Sequence, residues 1–223
     1  MSPSHSKYLE WWLTRKTRRH GTTNVQIDDL QLQVHNQVFN PDPFETWSTR
    51  LILDNLPNIT GKRVLDLGTG TGVLALACAR KGAAFVLGID VAPNAVRNAN
   101  ENCTSLGLQR VARFLKGNLF DFEEAYQFRE EAARFDLILA NLPIMPLSSS
   151  PKPIQSLLIE RVPDFLSETG LVAFTYADFG NQRKSVEESL RRSSLRWAPP
   201  KEVVNLGVRW SLFTGVVLHA PRQ

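Results

Sequence analysis

The sequence predicts an α/β fold in which a mostly parallel sheet carries helices on both faces. Three observations lead there. From about residue 63 onward, short apolar runs of strand length alternate with segments of helical length, and strands separated by helices pair in parallel. The run Arg63-Val-Leu-Asp-Leu-Gly-Thr-Gly-Thr-Gly-Val-Leu-Ala75 reads as a buried strand, a turn with three alternate glycines, and a helix. Polar residues interrupt the apolar runs at Asp90 and Asn141, which are C-terminal strand ends, the edge where open α/β sheets bind ligands.

Each element has its own signal. Residues 6–19 carry Tyr8, Leu9, Trp12 and Leu13 near one helical face, and Gly21 ends that pattern. Val25, Ile27, Leu30, Leu32 and Val34 alternate with polar residues around Asp28-Asp29, which predicts a small antiparallel hairpin. A proline-bearing segment, Gln37 to Thr46, leads into a helix over about 45–56. Strands are expected near 63–68, 85–90, 111–117, 135–140 and 170–177, then a weak one at 202–205 and a clearer one from Trp210 to Leu218. Helices fall between them near 72–81, 93–106, 122–133, 153–166 and 180–193. The organisation expected is an N-terminal helix and hairpin extension, residues 1–45, followed by one α/β domain, residues 46–223.

At 223 residues with 43% hydrophobic and 22% charged content, the chain has the size and composition of a globular domain with a sizeable core. No apolar run reaches the roughly 20 residues that span a bilayer, and the N-terminus lacks an apolar signal core. Cys78 and Cys103 have neither metal-ligand nor redox spacing. A cytoplasmic location without metal or membrane is therefore expected. The net charge is +4, and Arg15, Lys16, Arg18, Arg19 and His20 cluster behind Tyr8, Trp11 and Trp12. Such a helix can contact nucleic-acid phosphates or dock its aromatic face while its charges stay solvated.

The glycine turn lets backbone press against a small charged ligand at a helix N-terminus. Its spacing is Gly68-x-Gly70-x-Gly72, and Val73 breaks the dinucleotide pattern, which favours S-adenosylmethionine (SAM). Asp90, 22 positions after Gly68, can accept bonds from both ribose hydroxyls of an adenosine, although it can also cap the helix opening at Pro93. Asn118 follows the third strand and can reach an adenine edge. Asp66, inside the first strand, suits the positive sulfonium and amino group of SAM.

These segments resemble the class I SAM-dependent methyltransferases over about residues 37–218. Val-Leu-Asp-Leu-Gly-Thr-Gly-Thr-Gly is similar to that family's first motif, Gly-Ile-Asp-Val-Ala-Pro-Asn-Ala-Val to its second, and Phe-Leu-Lys-Gly-Asn-Leu-Phe-Asp to its third. The resemblance implies a Rossmann-like seven-stranded sheet of order 3-2-1-4-5-7-6 with the seventh strand antiparallel. It also implies cofactor contacts at Gly68, Thr69, Gly70, Thr71, Gly72, Asp90, Asn118 and Leu119.

Phe135-Asp-Leu-Ile-Leu-Ala-Asn141-Leu-Pro-Ile144 sets an amide at the end of a buried strand. There the Asn141 side-chain oxygen and the Leu142 carbonyl can both accept hydrogen bonds from one –NH2 group, while Pro143 fixes the backbone and removes a competing N–H. The expected reaction is direct methyl transfer to nitrogen by positioning and electrostatics. The turn resembles the Asn-Pro-Pro-Tyr/Phe motif of methyltransferases acting on amide or exocyclic amine nitrogens. Upstream, Val38-Phe-Asn-Pro-Asp-Pro-Phe-Glu-Thr46 is similar to the approach segment of the HemK-like, release-factor glutamine methyltransferases. Leu142 stands where the motif has its first proline, and Ile144 where it has an aromatic ring, which leaves three readings open: a small or aliphatic acceptor, stacking by another aromatic such as Phe39 or Phe44, or an activity that has drifted.

The leading expectation is thus an N-methyltransferase whose acceptor is a macromolecule, most simply a protein glutamine. The alternatives are an RNA base N-methyltransferase that uses the basic N-terminal helix, and a non-catalytic SAM-binding scaffold. A nicotinamide oxidoreductase is disfavoured by Val73.

Overall fold

A computed structural model describes residues 21–42, 47–119, 134–143, 152–178, 183–205 and 208–217. The helices expected at 6–19 and 122–133, the basic cluster, Phe44 and Ile144 lie outside the described residues.

The described residues open with a hairpin, β1 (Thr23–Ile27) and β2 (Leu30–Val34). Its two-residue turn is made possible by Asp28, whose φ of 51° is one that Asp tolerates better than most residues. Helix α1 (Trp47–Leu53) follows. The alternation then runs β3 (Arg63–Leu67), α2 (Val73–Arg80), β4 (Phe85–Asp90), α3 (Pro93–Ser105), β5 (Ala112–Lys116) and β6 (Phe135–Ala140). After it come α4 (Ile154–Arg161), a 3-10 turn (Val162–Phe165), β7 (Leu166–Ala177) and α5 (Arg183–Arg192). Three strands close the chain: β8 (Leu195–Trp197), β9 (Lys201–Asn205) and β10 (Val208–Val217).

The sheet runs β5-β4-β3-β6-β7-β10-β8, with β9 pairing beside β8 on the outer edge of β10. Strands β3 to β7 are parallel, and β10 is antiparallel to β7, β8 and β9. Among the described residues this sheet has eight strands rather than the expected seven. The place of a single penultimate strand is shared by two short ones: β8 pairs with Gly215–Val217 and β9 with Val208–Leu212. Strand β7 also begins at Leu166 rather than near 170, with an irregularity in its register between Phe135 and Leu137 of β6.

Along β6 the side chains alternate between two cores, as a period of two requires. Leu137 and Leu139 pack with α1, α2, α3 and the hairpin, whereas Ile138 and Ala140 pack with α4 and α5. Each fully buried leucine of β3 and β6 contributes about 1.5–3 kcal/mol of transfer free energy. Burial on both faces explains the continuous apolar runs.

The hairpin is fastened to the domain as well as packed on it. Ile27, Leu30 and Leu32 enter the first core, and Arg80 pairs with Asp29 at 3.1 Å. Strand β2 would otherwise show an unpaired edge. Instead, two buried amides of α3 take its place: Asn98 Nδ2 and Asn102 Nδ2 both donate to the Gln33 carbonyl, at 2.8 and 2.9 Å. In return, Gln33 N–H donates to Asn102 Oδ1 and His35 N–H to Asn98 Oδ1.

Candidate active site

The first half of the site is a folded-back glycine turn between β3 and α2. Gly68, Gly70 and Gly72 all have positive φ, at 73°, 55° and 84°, where any other residue would be strained. Gly68 and Thr69 N–H both donate to the Ile89 carbonyl of β4, at 2.8 and 3.0 Å, so the turn is tied to the next strand's end. Helix α2 has no side-chain cap from Gly72. Asp66 supplies one from the preceding strand: its Oδ2 accepts the Ala75 N–H at 3.2 Å and the Thr69 hydroxyl at 2.7 Å.

Asp66 is 1% exposed, and burial pushes its carboxyl up to about 7, against the pull of the Thr69 and Ala75 hydrogen bonds. Its Oδ1 is buried without a hydrogen-bond partner. Such an orphaned acceptor normally has a partner. Asp90, at the tip of β4, accepts Gly70 N–H through Oδ2 and Ala92 N–H through Oδ1, both at 2.9 Å. It therefore both braces the turn and steadies the start of α3, and each oxygen keeps a lone pair for a further donor. A Cβ added at Gly70 would meet nothing within 4 Å. Open space over Gly70, a half-buried carboxylate beside it and an orphaned acid oxygen beneath fit a cationic, hydroxyl-bearing ligand such as SAM. Thr69 and Thr71 are buried in the turn. Asn118 is exposed and Leu119 buried, just past β5, and Gly117 N–H is tied to the Asp90 carbonyl at 3.0 Å.

The second half is the turn after β6. Asn141 is half-buried, Leu142 buried and Pro143 exposed. Leu142 touches the glycine turn so closely that a Cβ at Gly68 would stand 2.7 Å from Leu142 Cδ2. No local sequence pattern marks what holds the amide. Thr175 of β7 donates its hydroxyl to Asn141 Oδ1 at 2.8 Å, and Asn141 Nδ2 donates to Thr49 Oγ1 of α1 at 3.1 Å. Gln155 Nε2 of α4 reaches the Pro143 carbonyl at 3.3 Å. Phe39, the described one of the two aromatics considered for stacking, is half-buried. Trp47, in the first turn of α1 with Thr49, is 42% exposed.

Two further residues had a visible but unread signal. Gly88 interrupts the apolar run of β4 because a Cβ there would lie 2.4 Å from Phe114 Cδ1 and 2.7 Å from Thr69 Oγ1. Thr175 is the one hydroxyl in Val172-Ala-Phe-Thr-Tyr-Ala177, apart from tyrosine's. Both buried thiols, Cys78 and Cys103, have their pKa raised by burial, so neither is activated as a nucleophile.

Comparison with known proteins gives the same reading. Residues 58–205 match the family model described as "Methyltransferase domain". A provisionally named protein N5-glutamine methyltransferase of Methanocaldococcus jannaschii is 28% identical over 180 residues, 74% of this chain and 84% of that protein. The release factor glutamine methyltransferase of Rhodospirillum rubrum is 47% identical over 87 residues, 39% of this chain and 24% of that protein. The ribosomal protein L11 methyltransferase of Deinococcus radiodurans is 42% identical over 97 residues, 43% and 34%. The chain thus spans most of the archaeal relative but about a third or less of these bacterial ones. Among solved structures, the Thermus thermophilus 16S rRNA N2 G1207 methyltransferase, bound to SAM and guanosine, superposes with a TM-score of 0.64 at 20% identity, covering 88% of this chain and 50% of that one. With the matched segment covering more than half of its residues, this chain belongs to the methyltransferase domain family and uses S-adenosylmethionine as its methyl donor.

Proposed function

We propose that the protein is an N-methyltransferase acting on an amide or exocyclic amine nitrogen, with a protein glutamine as its first acceptor. The observation that carries this is the Asn141-Leu142-Pro143 turn at the carboxyl end of β6, in van der Waals contact with the glycine turn through Leu142. Relatives named as glutamine methyltransferases favour the protein acceptor.

In this reading Gly68 to Gly72 follow the cofactor with backbone, Asp90 takes its ribose hydroxyls, and Asn118 and Leu119 border its adenine. Bound SAM supplies an electrophilic methyl group on a positively charged sulfur. Asn141 Oδ1 and the Leu142 carbonyl oxygen accept the two N–H bonds of the acceptor and turn its nitrogen lone pair toward the cofactor side of the cleft. Hydrogen bonds accepted from both N–H groups also raise the electron density on a nitrogen that is otherwise a poor nucleophile. The proton the nitrogen must shed stays hydrogen-bonded at Asn141 Oδ1 or the Leu142 carbonyl until solvent takes it, so no strong base is required. Positioning and electrostatics of this kind supply several kcal/mol of barrier reduction.

Transfer from methyl-tritiated SAM into extract, followed by separate protease and ribonuclease digestion, tests the proposal. Label released by protease is the expected result. Release by ribonuclease would move the acceptor to RNA, the reading that the rRNA methyltransferase neighbour favours. Absence of label in either half, with SAM still bound, would leave a non-catalytic SAM-binding protein.

A further inference from the structure

We infer that Thr49 and Thr175 are positioning residues that fix the orientation of the Asn141 amide, so the acceptor side of the site depends on helix α1, which precedes the family-matched segment. The inference rests on the reading of Asn141 as the acceptor clamp.

An asparagine amide has two lone pairs on oxygen and two N–H bonds on nitrogen, and its two ends look alike in shape. Left to rotate about its last bond, it would present a donor or an acceptor to the cleft with similar ease. An –NH2 group needs an acceptor there. Thr175 donates to Oδ1 at 2.8 Å and Thr49 accepts from Nδ2 at 3.1 Å, so each end of the amide is held by a buried hydroxyl and its plane cannot turn without breaking both bonds. Both threonines are almost wholly buried, at 2% and 3% exposed, where water cannot substitute for either bond.

Their placement follows from the fold. Ala140 of β6 is in register with Phe174 of β7, so Thr175 stands beside Asn141 on the sheet face shared with α1. Thr49 comes down from α1, whose Ile52 and Leu53 anchor the helix in that face's core. After both bonds are made, Oδ1 retains one lone pair for the acceptor N–H. Thr49 lies nine residues before residue 58, where the family match begins. The acceptor amide is thus oriented in part from outside the family-matched segment.

The test compares Thr49→Val and Thr175→Val, which remove a hydroxyl at nearly constant shape, with Thr49→Ser and Thr175→Ser, which keep it. Three quantities are read on the full chain. These are the SAM dissociation constant by calorimetry, hydrogen exchange at the Asn141 Nδ2 protons by NMR (assigned by their loss in Asn141→Asp), and kcat and KM on whichever macromolecular fraction the wild type labels. In the wild type, one Nδ2 proton is expected to be protected. The valine variants should keep SAM affinity within about twofold, speed that exchange at least tenfold, and lower kcat roughly tenfold or more, as loss of a buried hydrogen bond predicts. The serine variants should recover most of both. If both Nδ2 protons of the wild type exchange like those of an exposed asparagine, the assignment is overturned, even should a valine variant fail to fold. Wild-type kcat and protection in the valine variants overturn it as well. Label in RNA instead of protein would overturn the protein-glutamine acceptor and leave these comparisons intact.

Discussion

The two halves of the proposed cleft are built from different materials. The donor half is backbone: three positive-φ glycines, two N–H bonds to the Ile89 carbonyl, and two carboxylates, Asp66 and Asp90, that accept from main-chain and hydroxyl donors at most 20 residues away. The acceptor half is side chain. Its amide is held by one threonine 92 residues away and another 34 residues away, and the next carbonyl but one is held by Gln155. A backbone cradle tolerates change in its neighbours' side chains, whereas a side-chain clamp can be altered at each of its members. The first suits an invariant ligand, and the second suits an acceptor that differs between relatives.

The largest expected effect separates the halves outright. Asp90→Ala should weaken SAM binding at least 100-fold by calorimetry, while Asn141→Ala should bind SAM within about twofold of wild type yet lose methyl transfer about 1,000-fold, near 4 kcal/mol. Equal losses of SAM affinity in both variants would dissolve the distinction.

Next in size is the hold of α3 on the donor half. Asn102 Nδ2 also donates to the Thr71 carbonyl at 2.9 Å, so one buried amide joins the hairpin to the glycine turn. Asn102→Ala takes this partner from the Gln33 N–H and the Thr71 carbonyl and should cost about 2–4 kcal/mol, read by urea unfolding, with a weaker SAM affinity. A stable variant with normal affinity would show the turn to stand without the hairpin.

A smaller effect comes with pH. Asp66 is raised from an ordinary carboxyl value to about 7 by burial, so between about pH 4 and 7 the folded chain keeps a proton that the unfolded chain has released. Stability from this group is therefore greatest below that window and falls as pH rises through it, by at most about 1.4 kcal/mol per pH unit. Asp66→Asn should flatten that slope in unfolding measured at pH 5 and 7.5. A cationic ligand over the same carboxyl favours its charged form, so SAM affinity should rise with pH in the wild type and not in the variant.

The smallest concerns Trp47, an exposed ring at the start of α1, which we propose as an aromatic of the acceptor surface. Trp47→Ala should raise the acceptor KM a few-fold with kcat and SAM affinity unchanged. An unmoved KM would remove it from the acceptor surface.

The contrast between the halves also explains what could be read from the sequence. The glycine spacing, Asp90 and the strand-end Asn141 were legible because a turn and its flanking strand are contiguous, and so were the hairpin and the parallel strands. Strand β8 was not: three residues, Leu195–Trp197, are too few to show a period, and their pairing depends on where β10 happens to pass. The pairing of Thr49 and Thr175 with Asn141 was invisible for a related reason. A threonine in a helix or an apolar strand carries no mark of its partner until the sheet register sets it beside Asn141. Asp66 was expected to face the cofactor, and its Oδ2 is engaged by its own turn. That use of the side chain depends on Thr69 being crowded against Gly88, a cross-strand approach that no local pattern encodes.

The clasp that Asn98 and Asn102 make on β2 touches only main-chain atoms of Gln33 and His35. The outward side chains of the hairpin, Asn24, Gln26, Gln31 and Gln33, are exposed and contribute nothing to that grip. Their identities can therefore drift without loosening the fit, much as a tool holder accepts different bits. A methyltransferase assembled this way can have its outer hairpin face rewritten while the machinery beneath keeps its alignment.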